Sequence, residues 1–211
     1  MRRSLRALDS ATATLTRCVV APSLILLAFL LLLALAGPIA AQTAATYEHR
    51  ILATSKTSTM EKELNDAAEA GFRVVSVMGG ETAVGGNEVV AVMSSGGTRG
   101  RFSYKLLATS KTSTMEKELQ EAADAGFEYR GQTVFKSAFG GEEVVCILER
   151  DKNGDGRKWS YKLFATSKTS TLEKELREAG GTGYEVVGMT VAKTAIGGKE
   201  LVAITRRPRA Q

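Results

Sequence analysis

The stretch ATSKTSTMEKEL fills residues 53–64, recurs unchanged at 108–119, and recurs at 165–176 as ATSKTSTLEKEL. Superimposing the three stretches superimposes everything around them. The repeats run over residues 47–95, 102–150 and 159–208, offset by 55 and then 57 residues. Self-similarity at such a period is the signature of tandem supersecondary units. The connecting segments, SSGGTRGR and DKNGDGRK, are polar and glycine-bearing, as connections between packed units should be.

Each repeat opens on a strand pattern: YEHRILAT, FSYKLLAT and WSYKLFAT. Tyr47, His49 and Ile51 form one alternate set, matched by Phe102, Tyr104, Leu106 and by Trp159, Tyr161, Leu163. The opposite set begins with Arg50, Lys105 and Lys162, so the strand is half-buried. His49 is the only histidine and stands where the other repeats have tyrosine, which excludes His-based catalysis and His-rich metal sites.

A helix follows. Ser58, Ser113 and Ser170 each precede Glu61, Glu116 and Glu173 by three residues, the spacing of a capping box. Met60, Leu64 and Ala67 continue as an apolar stripe, repeated at Met115, Leu119, Ala122 and at Leu172, Leu176, Ala179. Gly71, Gly126 and Gly183 close the helices, and Gly180-Gly181 is expected to fray the last turn of the third.

Two further strands surround a glycine pair, Gly85-Gly86, Gly140-Gly141 or Gly197-Gly198, which reads as a hairpin turn. Each unit is therefore β-α-β-β. The helical crossover makes the first two strands parallel, and the third fits between them, antiparallel to both. The expected fold is α+β: three tandem repeats, each a three-stranded sheet of order 1-3-2 with one helix on one face, packed together. The last strand of each unit is apolar on both sides. Ala91, Cys146 and Ala203 supply the small positions that suit close approach of the helix. Val90/Val92, Val145/Ile147 and Val202/Ile204 then face away from it, each worth about 2 kcal/mol when buried. Units of this size are marginal alone, so these faces should be covered by the other units, arranged about a pseudo-threefold axis.

Residues 1–41 carry an export pattern: Arg2, Arg3, Arg6 and Arg17, an apolar run over 24–36, a Gly37-Pro38 break and Ile39-Ala40-Ala41 before Gln42. A signal peptide cleaved after Ala41 is expected, with a retained anchor as the alternative because residues 19–41 carry no charge. Without this segment 24 basic and 22 acidic residues remain, so the basic balance belongs mostly to the export signal. That argues against nucleic acid as a partner. Cys146 would be the sole cysteine left, which excludes an intramolecular disulfide.

The third repeat, with WSYKLF, GYEVVGM and ELVAITRRP, resembles a small bacterial family of unknown function whose members read WEYKVV…GWELVSV…LVAILKRP. The first repeat lacks the Tyr-Lys pair, and the second interrupts its middle strand with Tyr129-Arg130-Gly131. The resemblance spans residues 47–208 as three domains and implies a fold rather than an activity, for its motif residues are core positions.

Chemistry is sparse. Asp151, Asn153, Asp155 and Gly156 spell the first half of a calcium loop, but Lys162 stands where a bidentate Glu is required, so a plain turn is the favoured reading. Lys56-Thr57, Lys111-Thr112 and Lys168-Thr169 put a cation and a hydroxyl at each helix start, a candidate surface for a partner or a weakly held anion. Glu88, Glu143 and Glu200 recur after the glycine pairs as strand-end charges or partners of those lysines. No nucleophile–base pair is visible, and no cofactor is implied. The expectation is an exported, non-enzymatic binding or scaffold protein, periplasmic or secreted, whose partner is another protein or an envelope component. A cell-envelope hydrolase and a weak anion binder are the alternatives.

Overall fold

The computed structural model describes residues 46–83, 86–96, 99–136, 141–193 and 198–209. The export segment, Cys18 and most of the glycine-pair loops lie outside the described residues. No helix of the described residues is long and apolar enough to cross a membrane.

The first repeat comprises β1 (His49–Thr54), α1 (Thr57–Glu69), β2 (Phe72–Thr82) and β3 (Gly86–Ser95). The second comprises β4 (Phe102–Thr109), α2 (Thr112–Asp124), β5 (Glu128–Lys136) and β6 (Glu142–Asp151). The third comprises β7 (Trp159–Thr166), α3 (Thr169–Gly181), β8 (Glu185–Lys193) and β9 (Lys199–Pro208). Three sheets result, ordered β1-β3-β2, β4-β6-β5 and β7-β9-β8, with the last strand of each repeat central and antiparallel to both neighbours. Three β-α-β-β units with one helix each are what the repeat pattern predicts.

Local details depart from the sequence reading in three places. The helices start two residues earlier than the capping box requires. Lys56, Lys111 and Lys168 are the N-caps, extended in backbone and without a side-chain cap. The Lys56 carbonyl accepts the Thr59 and Met60 N–H groups, so Ser58 is already helical and cannot cap. The glycine pair is not the tight turn either. Thr82 pairs with Gly86, which places Gly86 in β3, and Lys136 pairs with Glu142 and Lys193 with Lys199 across longer loops. Finally, α3 runs through Gly180-Gly181 to the same thirteen residues as α1 and α2. Gly71, Gly126 and Gly183 take positive φ just past each helix, as expected of C′ glycines.

The units stack in series, with α1 and α2 each wedged between their own sheet and the next. The first core joins Met60, Leu64, Ala67 and Ala68 of α1 with Val89, Ala91 and Met93 of β3, then with Val145 and Ile147 from the second sheet. The second core repeats the design: Met115, Leu119, Ala122 and Ala123 of α2 with Val144, Cys146 and Leu148, then with Val202 and Ile204 of the third sheet. Ala91, Cys146 and Ala203 are fully buried, as the small-residue argument requires. Val90 and Val92 of the first sheet are only half-buried, because no earlier unit covers them. Pairing is therefore serial, first to second and second to third, rather than threefold. Residues from Thr46 onward form a compact unit of their own, and both cores draw only on it.

Candidate functional site

A sheet edge exposes unpaired backbone groups and must be covered. Here the helix of one repeat covers the first strand of the next. The Glu61 carboxylate accepts the Leu106 N–H at 2.8 Å. Asn65, one helical turn on, accepts the Tyr104 N–H at 2.9 Å and donates to the Tyr104 carbonyl at 3.0 Å. The second junction uses the equivalent residues. Glu116 accepts the Leu163 N–H at 2.9 Å, while Gln120 accepts from Tyr161 N–H and donates to the Trp159 carbonyl, both at 3.1 Å. The glutamate of the supposed capping box is thus a strand-edge acceptor for its neighbour. In the loop itself Thr54, Thr109 and Thr166 accept the N–H of Lys56, Lys111 and Lys168, each at 3.2 Å, which fixes the turn into the helix.

Every middle strand carries a bulge, between Val74 and Ser76, Tyr129 and Gly131, and Val186 and Gly188. The Val74 N–H donates to the Tyr104 hydroxyl at 3.0 Å, and the Tyr129 N–H to the Tyr161 hydroxyl at 2.9 Å. The tyrosines that sequence alone marks as core rings therefore tie consecutive repeats together. The middle strands also cross closely. A Cβ on Gly79 would overlap the Val134 carbonyl oxygen, and one on Gly188 would overlap the Tyr129 hydroxyl and sit 2.7 Å from Gln132 Oε1. Gly131 does not break β5; a Cβ there would lie 2.9 Å from Val77, so glycine permits the crossing.

Among the described residues Glu149 is the one buried charged side chain, and partly exposed arginines gather round it. Glu149, 5% exposed, accepts the Arg73 Nε–H, shared between its two oxygens at 3.1 Å, and a hydrogen bond from Arg73 Nη2 at 2.8 Å. The Tyr104 hydroxyl donates to it at 2.8 Å and Arg130 Nε pairs with it at 3.1 Å. Burial and the adjacent Glu149 carboxylate push the Tyr104 phenol upward. Arg73 and Arg206 also lie over the aromatic rings of Phe102 and Trp159 at 4.4 and 4.1 Å. Cys146, fully buried beneath α2, has its thiol pushed upward by burial and is placed as a core residue.

The lysine–threonine pairs stand at three separate helix starts, Lys56-Thr57, Lys111-Thr112 and Lys168-Thr169, with all three lysines exposed. Among the described residues no ion pair joins them to Glu88, Glu143 or Glu200. Glu88 instead accepts from the Thr82 hydroxyl. An open groove of about 730 Å³ follows the seam between α2 and β7, with Thr112 and Gln120 in its wall, and its charged lining is mostly acidic: Glu116, Glu121, Asp124 and Glu175 against Lys117. In the turn after β6, Arg101 grips the Asp151 carboxylate at 2.5–2.9 Å and the Asn153 N–H donates to it at 2.9 Å. Asp155 accepts the Arg157 N–H at 3.0 Å. Arg101 thus occupies the Asp151 carboxylate, and no cluster of three or more metal-ligating groups occurs among the described residues.

The geometry defines a class: a tandem β-α-β-β array in which each helix completes the sheet edge of its successor. No protein-family model, curated protein or solved structure matches the chain.

Proposed function

We propose that the chain is an exported, non-enzymatic binding or scaffold module, acting through the packed surfaces of its array. The supporting observation is the use made of the triplicated segment and of the residue that follows it. Thr54 shapes the loop, Met60 and Leu64 fill the core, and Glu61 and Asn65 hold the next strand, with the second repeat doing the same through Thr109, Met115, Leu119, Glu116 and Gln120. Residues repeated in such a pattern serve assembly, and assembly explains their spacing without a reaction. The resemblance to small bacterial domains of unknown function agrees with this reading, and the basic, apolar start of the chain supports export.

The test is a pull-down from the native cell envelope, alongside an activity screen on envelope substrates with Glu88, Glu143 and Glu200 each changed to Gln. Recovery of a specific partner, with no turnover in any preparation, is expected. Turnover abolished by one of the three changes would establish the hydrolase instead.

A further inference from the structure

Positions buried at both internal junctions are bare at the two ends of the array. Phe102 and Tyr104 on β4, and Trp159 and Tyr161 on β7, are all buried against the preceding repeat. Their counterparts in the first repeat lie open: Tyr47, just ahead of β1, is 65% exposed and His49 is exposed as well, as is Ile51 of β1, the counterpart of Leu106 and Leu163, at 68%. At the other end Val186, Met189 and Val191 of β8 are at least half exposed. Their counterparts Val74 and Tyr129 are buried, and Val77, Gln132 and Val134 are partly covered by the next repeat. On α3, Glu173 and Arg177 face solvent where Glu61, Asn65, Glu116 and Gln120 hold a strand.

We propose that these ends are complementary, so that the chain docks head to tail on a second copy of itself. The α3 and β8 face of one copy receives β1 and the outer face of the first sheet of the next. This deepens the binding-module reading and rests on it, naming the partner as the chain itself. The internal junctions supply the template. The Ile51 N–H corresponds to those of Leu106 and Leu163, and Glu173 to the acceptors Glu61 and Glu116. His49 corresponds to Tyr104 and Tyr161, whose hydroxyls accept the bulge N–H of Val74 and Tyr129, and Val186 holds that bulge position in the third repeat. A neutral imidazole nitrogen accepts such a bond. The charges agree. Glu185 occupies the position of Arg73 and Glu128 but is already held by Arg206 at 2.8 Å, and Ser94 occupies that of Glu149 and Arg206, so no like charges meet.

One residue weakens this contact relative to the internal ones. Arg177 replaces Asn65 and Gln120; it has no acceptor for a backbone N–H, and it holds Glu173 at 2.6 Å. Docking must open that pair, so association is reversible. A head-to-tail contact of this kind leaves one free face on each side, and growth yields a ring or an open filament rather than a closed two-fold dimer.

The test uses residues 42–211, which include both cores, in sedimentation velocity up to about 100 μM. Ile51→Asp blocks one end and Met189→Asp the other; both side chains are more than 60% exposed, so both variants fold. The parent chain should form species larger than dimers, each variant alone should be monomeric, and their equimolar mixture should stop at the dimer. Arg177→Gln should tighten association about fivefold by restoring one hydrogen bond. A monomeric parent chain would overturn self-docking while leaving a foreign partner, and hence the binding-module reading, intact. Self-association surviving in either variant alone would overturn the head-to-tail geometry.

Discussion

Arg206 of the third repeat donates to Glu128 of the second at 2.6 Å, whereas at the equivalent place in the first junction the arginine, Arg73, belongs to the earlier repeat and the acid, Glu149, to the later. The two junctions share geometry and carry opposite polarity. Docking the third repeat on the first would set Arg206 against Arg73, and a like-charge contact rejects that order. The swap therefore specifies which repeat follows which.

Arg73→Glu should destabilise the protein by on the order of 3 kcal/mol, because it sets a second acid against the buried Glu149. Arg73→Glu combined with Glu149→Arg reproduces the polarity of the second junction and should recover most of that loss. Urea denaturation of the four members of this cycle measures it. A double variant no more stable than the worse single would show that the two junctions are not equivalent.

The crossing of the middle strands predicts a contrast between neighbours. Gly79→Ala should cost about 2 kcal/mol, since its methyl would overlap a backbone carbonyl that cannot move aside. Gly80→Ala meets nothing within 4 Å and should be close to neutral. At the next crossing both polar atoms of the Gln132 amide are buried without a hydrogen-bond partner among the described residues, while the equivalent residues are Val77 and Met189. Gln132→Met should therefore stabilise by about 1 kcal/mol. Thermal melts of the three variants decide both points.

The turn after β6 predicts acid sensitivity. Hydrogen bonding to Arg101 holds the Asp151 carboxyl below its usual range. A depressed folded-state pKa adds stability above the unfolded value, about 3.9, and that stability is lost as pH falls through the folded value. The parent chain should exceed Asp151→Asn in stability at pH 7, and the difference should shrink steadily below about pH 4. A gap unchanged between pH 7 and pH 2.5 would contradict the ion-pair account.

Much of this architecture is legible in the sequence because periodicity is local. The triplicated segment sets the repeat length, the doubly apolar last strand marks the centre of each sheet, and Ala91, Cys146 and Ala203 mark the face beneath the helix. What escaped depends on neighbours distant in the chain. A serine three residues before a glutamate is the spacing of a cap, yet the same glutamate one turn into a helix reaches an adjacent strand equally well. Only the position of β4 and β7 shows which use is made of it. Gly131 likewise reads as a break in a strand until Val77 is seen against it. The pairing of Arg73 with Glu149 spans 76 residues and has no local pattern at all. One signal was present: Asn65, Gln120 and Arg177 differ directly after the repeated segment, and the arginine falls on the helix with no strand to hold.

The central claim, that the helix of each repeat completes the sheet edge of the next, is tested most directly by amide hydrogen exchange at Ile51, Leu106 and Leu163 in dilute, monomeric protein. These N–H groups occupy the same position in β1, β4 and β7, and Glu61 and Glu116 accept the latter two. Leu106 and Leu163 should be protected to a similar degree, Ile51 should exchange far faster, and Glu61→Ala should release Leu106 while leaving Leu163 protected. Equal exchange at all three positions, or a Leu106 amide indifferent to the loss of Glu61, would contradict the account.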